Sequence, residues 1–319
     1  MVQFLIKRLI GLIFVVICVT FITFILGFKA PGDPIQSMLG FHFNPTLYAQ
    51  LKHQYGLDLP WYQQYFNYMT GLTRLDFGLS FHYQGRPVAD ILKDGIPVSA
   101  ELSVWGLLLT LALGVPLGIF SALKANTWID TTSMGTALVL YAVPTFVFAV
   151  VFQVFIVQLD KATGMGWPVS NWGIPWHYTW QDIQYKLVPV VTYAAIGFAA
   201  FSRLARTSML EVLNQDYVRT ARAKGLREKA VVYRHAFRNA MIPLVTYLGI
   251  AIGFLVTGVF FIENIFNIPG IGATAITAIN DRDYPVIQAT TILGAVAVVI
   301  GNLIADILYT VADPRIKNQ

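Results

Sequence analysis

Six stretches of this chain are each long and apolar enough to cross the hydrocarbon core of a bilayer, which takes about 20 helical residues. They run roughly over 9–28, 100–123, 132–158, 187–206, 241–262 and 286–310. Charged residues are 12% of the chain, about half the usual share in a soluble domain. The hydrophobic share is 56% and the mean hydropathy +0.60, so an all-α polytopic membrane protein with six transmembrane helices is expected. Cys18 is the single cysteine, which excludes a disulfide within the chain, and its place inside the first apolar run makes it a small hydrophobe.

The formal charge of +5 is explained first by the excess of Lys and Arg in cytoplasmic loops, not by nucleic acid. With the N-terminus inside, the cytoplasmic segments hold Lys7, Arg8, Lys124, the cluster from Arg203 to Arg238, Arg315 and Lys317. In the outer segments Asp33, Asp58, Asp76, Asp90 and Asp94 balance Lys29, Lys52, Arg74, Arg86 and Lys93. Both termini are therefore expected inside. Leu9 to Phe28 exceeds the apolar core of a signal peptide and lacks an A-x-A cleavage pattern, which favours an uncleaved first span. The expected layout is a first transmembrane helix at 1–28, an extracytoplasmic segment at 29–99, a five-helix core at 100–312 and a cytosolic tail at 313–319. Within the core, a cytosolic loop occupies about 207–240.

Small residues recur at helix-packing intervals in four spans: Gly114 with Gly118, Ala195 with Ala199, Gly249 with Gly253, and Ala297 with Gly301 and Ala305. Such spacing lets helix backbones approach closely in lipid and predicts a tight bundle. Pro116 and Pro144 fall inside spans, where a missing N–H predicts a kink. Between the first two spans, Asn44-Pro45 predicts a capped helix towards His53. Pro60 precedes a second helix, carrying Trp61, Tyr65 and Met69, and Val88, Ile91 and Leu92 lead through Pro97 into the second span. The aromatics read as packing or interfacial anchors, and so do Trp167, Trp172, Trp176 and Trp180 in the segment 160–186.

No G-x-x-x-x-G-K-[ST] loop is present, since no lysine follows a glycine anywhere. His42, His53, His82, His177 and His235 are scattered without an H-E-x-x-H pair. Glu101, Asp160, Glu263 and Asp306 sit near span ends instead of mid-bilayer, against both an intramembrane protease and a proton-coupled carrier. No catalytic, metal or cofactor site is expected. A bundle that moves a solute uphill must then draw its energy from outside the chain.

The basic run from Arg203 to Arg238 would cost about 2.5–3.5 kcal/mol for each Arg or Lys at mid-bilayer, so it belongs in water. Two helical pieces are expected in it, split near Gly225. Ala221, Ala223 and Gly225 make the first piece narrow enough for a partner to approach its backbone, ringed by Arg219, Arg222, Lys224 and Arg227. In the second, Val232, Ala236 and Ala240 share a face. A basic loop that merely fixes topology would explain the charge but not this pattern.

The segment Arg219 to Gly225, RTARAKG, resembles the EAA loop of bacterial ABC importer permeases in its oligopeptide/dipeptide form, with Arg219 and Thr220 at the first two positions of E-A-A. PGDP at Pro31–Pro34, YGLDLPWYQQY at Tyr55–Tyr65, LDFGLSF at Leu75–Phe81, FIENIFNIPGIG at Phe261–Gly272 and ADPR at Ala312–Arg315 resemble the B-type permeases of that family, in the same order along nearly the whole chain. The resemblance implies half of a type I importer in a bacterial or archaeal inner (plasma) membrane. Its partners would be a second homologous permease, two cytosolic ATPases that bind the ATP and Mg, and an extracytoplasmic solute-binding protein. Short peptides would be the cargo; nickel chelates or glutathione are alternatives on the same architecture, and a membrane-embedded enzyme or a scaffold is the reading from another class. ATPase coupling would fall on Tyr217, Arg219, Thr220, Ala221, Lys224, Gly225 and Leu226. Glu263, Pro269, Gly270 and Gly272 would either border the substrate path and meet the binding protein or simply cap and turn the chain.

Overall fold

The computed structural model describes residues 2–39, 44–83, 85–253, 255 and 259–312, so the tail at 313–319, with Arg315 and Lys317, lies outside the described residues. A long helix, α1 (Val2–Lys29), is followed by three short ones, α2 (Pro34–Leu39), α3 (Pro45–Gln54) and α4 (Trp61–Leu72). Then come α5 (Val88–Leu123), α6 (Trp128–Ala142), α7 (Thr145–Thr163) and α8 (Trp180–Leu213). The chain continues through α9 (Asp216–Ala223), α10 (Glu228–Ala230), a π turn (Val231–Ala236) and α11 (Phe237–Gly253). It closes with α12 (Phe260–Ile265), α13 (Ile271–Asn280) and α14 (Tyr284–Ala312). Among the described residues, six helical segments are long and apolar enough to span a membrane: Ile10–Lys29, Val88–Leu123, Thr145–Thr163, Trp180–Leu213, Glu228–Gly253 and Tyr284–Ile307.

Helix directions follow from which residues meet. Along α5, Gly106 meets Tyr193, Gly114 meets Phe198 and Phe201, and Gly118 meets Ser202 and Ala205 of α8, so α5 and α8 run parallel. The fit is close enough that a Cβ on Gly118 would stand 2.2 Å from the Ser202 carbonyl oxygen. Gly249 and Gly253 of α11 lie against Ala305, Gly301 and Ala297 of α14, which fixes those two as antiparallel. Gly27 of α1 meets Tyr284 and Gln288 at the start of α14. The alternation gathers the start of α1, the end of α8, α9 and the end of α14 at one end of the bundle, the basic end. The end of α1, the starts of α5, α8 and α14, and α12 occupy the other, loop-rich end.

Asn44 caps α3 as its sequence predicts, its Oδ1 accepting from the N–H groups of Thr46 (2.9 Å) and Leu47 (3.3 Å). The expected single span over 132–158 is instead two helices. Val143 is extended and Pro144 stands before the first turn of α7, because proline has no N–H to give and disfavours a helical residue before it. Of the fifth expected span, 241–262, α11 covers the part up to Gly253 and α12 the part from Phe260; Leu255 and Val259 between them are not helical, and residues 254 and 256–258 lie outside the described residues. Trp172, expected among the interfacial tryptophans, has no exposed surface and belongs to the core with Val98, Leu102, Val188 and Phe266.

Candidate functional sites at the two ends of the bundle

At the basic end, α9 is an eight-residue helix with Asp216 in its first turn and Arg222 in its last, matching the helix dipole at both ends. It stops at Lys224 because Gly225 has φ +75°, a left-handed conformation that favours glycine. No atom would obstruct a Cβ there, so the dihedral alone selects the residue. Val218 and Ala221 form the inward face, buried on Val231 with Val212 and Leu213 alongside. Tyr217, Arg219, Thr220, Ala223, Lys224, Gly225 and Leu226 are exposed. Ala221 is thus small because it packs under the helix, and the narrow outer surface is supplied by Ala223 and Gly225.

The support beneath α9 is the π turn. Its wider spacing puts residues i and i+5 on one face, and it buries Val231 and Ala236 together with Val232. Val232, Ala236 and Ala240 then pack on Ala122 and Met209, joining the loop to α5 and α8. The Tyr217 hydroxyl accepts from Asn239 Nδ2 at 2.7 Å, and Arg222 grips Glu228 through two hydrogen bonds of 2.8 and 3.2 Å. Lys224 and Arg227 make no ion pair among the described residues. The result is a supported helix with its own outward positive charge.

At the loop-rich end Glu263, Gly270 and Gly272 are buried in one place and Pro269 is exposed at the tip. Glu263 has no exposed surface; its carboxylate accepts from Ser99 Oγ (2.7 Å), Val259 N (3.2 Å) and Ala273 N (3.0 Å). Ser99 Oγ in turn accepts from Ile271 N at 2.8 Å, so a serine of α5 links the carboxylate to the start of α13. Burial pushes the Glu263 carboxyl above the ordinary carboxylate range, against the opposing pull of Ser99 and the backbone amides. Gly270 is dictated by this carboxylate: a Cβ would stand 2.4 Å from Glu263 Oε2 and 2.5 Å from Ser99 Oγ. Gly272 similarly admits the backbone of Phe260, 2.6 Å from where a Cβ would sit.

Two family models cover nearly all of this architecture. The one described as binding-protein-dependent transport system inner membrane component matches residues 114–318, and its N-terminal membrane component matches residues 1–103. The chain belongs to this family. It is similar to the dipeptide transport system permease DppB of Alkalihalophilus pseudofirmus, 37% identical over 99% of this chain and 100% of that protein. DppB of Escherichia coli K12 is 35% identical over the full length of both chains, and the glutathione transport system permease GsiC of the same strain is 35% identical over 99% of each. This permease is accordingly a multi-pass membrane component of a transport system, and its family is not one of enzymes.

Sequence reasoning missed a second buried hub in the permease, beside the turn. Lys186 of α8 meets Glu101 of α5 at 2.8 Å, with side-chain exposures of 6% and 0%. Glu101 Oε2 also accepts from Trp172 Nε1 (2.9 Å) and Trp176 N (2.8 Å), while Lys186 donates to the carbonyls of Ile174 (2.9 Å) and His177 (2.8 Å). Every polar atom of the pair is thus engaged in clamping the 171–179 loop onto the parallel helices. The signal available in the sequence was directional: spans two and four enter from the same side, so Glu101 and Lys186, each at the start of its span, stand at one level.

Proposed function

We propose that this chain is one of two permease subunits of an ATP-driven importer for short peptides. The observation that carries the reading is the coincidence of full-length similarity to dipeptide permeases with a supported, outward-facing helix at the basic end. In this reading α9 and its C-terminal turn are the contact on which two cytosolic ATPases act, through Tyr217, Arg219, Thr220, Ala223, Lys224, Gly225 and Leu226, with Ala221 holding the helix from below. The ATPases supply ATP and Mg chemistry. The basic end then faces the cytosol, and the loop-rich end faces the solute-binding protein that the family description implies. Pro269 is the part of the turn that meets the outside, and Glu263, Gly270 and Gly272 hold it in shape. The similarity to a glutathione permease favours one second reading, in which the cargo is that peptide-like thiol.

The test is an assembled transporter, made with its second permease, both ATPases and binding protein, carrying Lys224→Glu with Leu226→Asp. Both side chains are exposed, so the chain is expected to insert normally while ATP-dependent uptake of labelled dipeptide is lost. Unchanged uptake would overturn the coupling assignment. The wild type is expected to take up labelled dipeptide and not labelled glutathione; uptake of glutathione and not of dipeptide would select the second reading.

A further inference from the structure

The segment between the first two spans leaves a cavity of about 530 Å³ at the loop-rich end, walled by α1, α3, α4, the loop through Phe77 and the start of α14. Its size is within the roughly 300–1,000 Å³ of small-molecule sites. Two opposite charges line it, Lys52 of α3 and Asp76 just beyond α4, and neither makes an ion pair among the described residues. The Lys52 Nζ lies 5.7 Å from the Tyr48 ring centroid, and the Asp76 carboxylate accepts from the Gly78 amide at 2.9 Å. A third charged group, Asp33, is already engaged by the Tyr48 hydroxyl and by the Ile35 amide at 2.9 Å.

The uncharged part of the lining suits amide groups. Tyr68 lines the cavity, and its hydroxyl is buried with no hydrogen-bond partner among the described residues. An unpaired buried hydroxyl is costly, and an acceptor brought by a ligand relieves that cost. The carboxamides of Asn67 and Gln288, each with donors and an acceptor, also make no hydrogen bond among the described residues. Phe24, Phe28, Phe77 and Tyr284 add aromatic surface. A simple anion would answer Lys52 and be opposed by Asp76, a simple cation the reverse, and an uncharged ligand would leave both charges unmatched. A molecule with one ammonium, one carboxylate and amide groups between them answers all of these side chains.

We propose that this cavity binds a short peptide with free ends. The peptide carboxylate accepts from Lys52, its ammonium donates to Asp76, and a peptide carbonyl accepts from the Tyr68 hydroxyl. The inference rests on the reading of the cargo as a short peptide and adds to it a holding site on this chain, in the segment between the first two spans.

The test irradiates the assembled transporter, without nucleotide, in the presence of the photoreactive dipeptide p-benzoylphenylalanyl-alanine and maps adducts by mass spectrometry. Adducts that saturate with concentration are expected on Phe24, Phe77 or Tyr284. Acetylating the amino end of the probe, or amidating its carboxyl end, should raise the half-saturating concentration about tenfold, the loss expected for one charge-assisted hydrogen bond. Those arms use the unaltered protein and stay decisive if a variant does not fold. Lys52→Gln should abolish the preference for the free over the amidated probe, and Asp76→Asn the preference for the free over the acetylated one. No adduct on the three aromatic residues, equal saturation by free and blocked probes, or preferences that persist in both variants would each overturn the proposal. ATP-dependent uptake of labelled dipeptide, measured alongside, separates the two readings. Uptake without adducts in the cavity overturns this inference alone, whereas saturable adducts without uptake uphold it and count against peptide import.

Discussion

The two ends of this permease use charge in opposite ways. At the loop-rich end Glu101, Lys186 and Glu263 are withdrawn from solvent and each is surrounded by donors or acceptors. At the basic end Arg219, Lys224 and Arg227 stand in solvent, and the Arg219–Asp216 pair at 3.6 Å is nearly fully solvated. A buried, satisfied carboxylate fixes geometry, because any movement would strand it or its donors at a cost. Exposed charges on a short helix fix little within the chain and are free to meet another protein. The comparison separates residues that shape a surface from residues that are the surface.

The largest effect that would break this contrast lies in the Glu101–Lys186 pair. Removing one partner of a buried pair leaves the other charge uncompensated and typically costs about 3–5 kcal/mol, so Glu101→Ala is expected to lower the thermal unfolding temperature of the detergent-solubilised subunit sharply. Replacing both, as Glu101→Leu with Lys186→Met, should recover part of that loss. Equal loss in the single and double variants would show that the neighbouring Trp172 packing, not the charges, carries the stability. A smaller effect is expected at the turn. Ser99→Ala leaves the Ile271 amide and one Glu263 oxygen without their shared partner, at about 1–3 kcal/mol for a buried unsatisfied group. Hydrogen exchange at Ile271 should accelerate in that variant, whereas an unchanged rate would mean that the serine is not the link.

The contrast also explains what could be read from the chain before its structure. The apolar runs at 9–28, 100–123, 187–206 and 286–310, the Asn44-Pro45 cap and the small-residue seams of Gly114, Gly118, Gly249 and Gly301 are local or periodic signals, and they reappear where expected. Proline was less informative. Pro97, Pro116 and Pro189 sit inside continuous helices and Pro144 divides two. Pro116 lies between Gly114 and Gly118 in the seam of α5 with α8, while α7 is exposed along most of its length and lends the Pro144 joint little support. The direction in which a residue points was equally hidden. Ala221 and Ala223 differ by two positions and look alike in the sequence, yet only the packing of Val231 decides which of them faces inward.

That pair gives the sharpest and smallest-scale test of the distinction between shaping and contacting. Ala221→Leu adds bulk beneath α9, where overpacking costs about 1–3 kcal/mol, and should reduce both thermal stability and uptake. Ala223→Leu adds the same bulk on the exposed face, where substitutions usually stay within about 0.5 kcal/mol, and should leave the melting temperature of the isolated subunit in place while slowing ATP-dependent uptake by the assembled transporter. Under this arrangement the two losses have different origins, and a compensating truncation at Val231 should rescue Ala221→Leu but not Ala223→Leu. Rescue of both, or of neither, would mean that Val231 does not distinguish the two alanines and that α9 is seated with a different face towards the bundle.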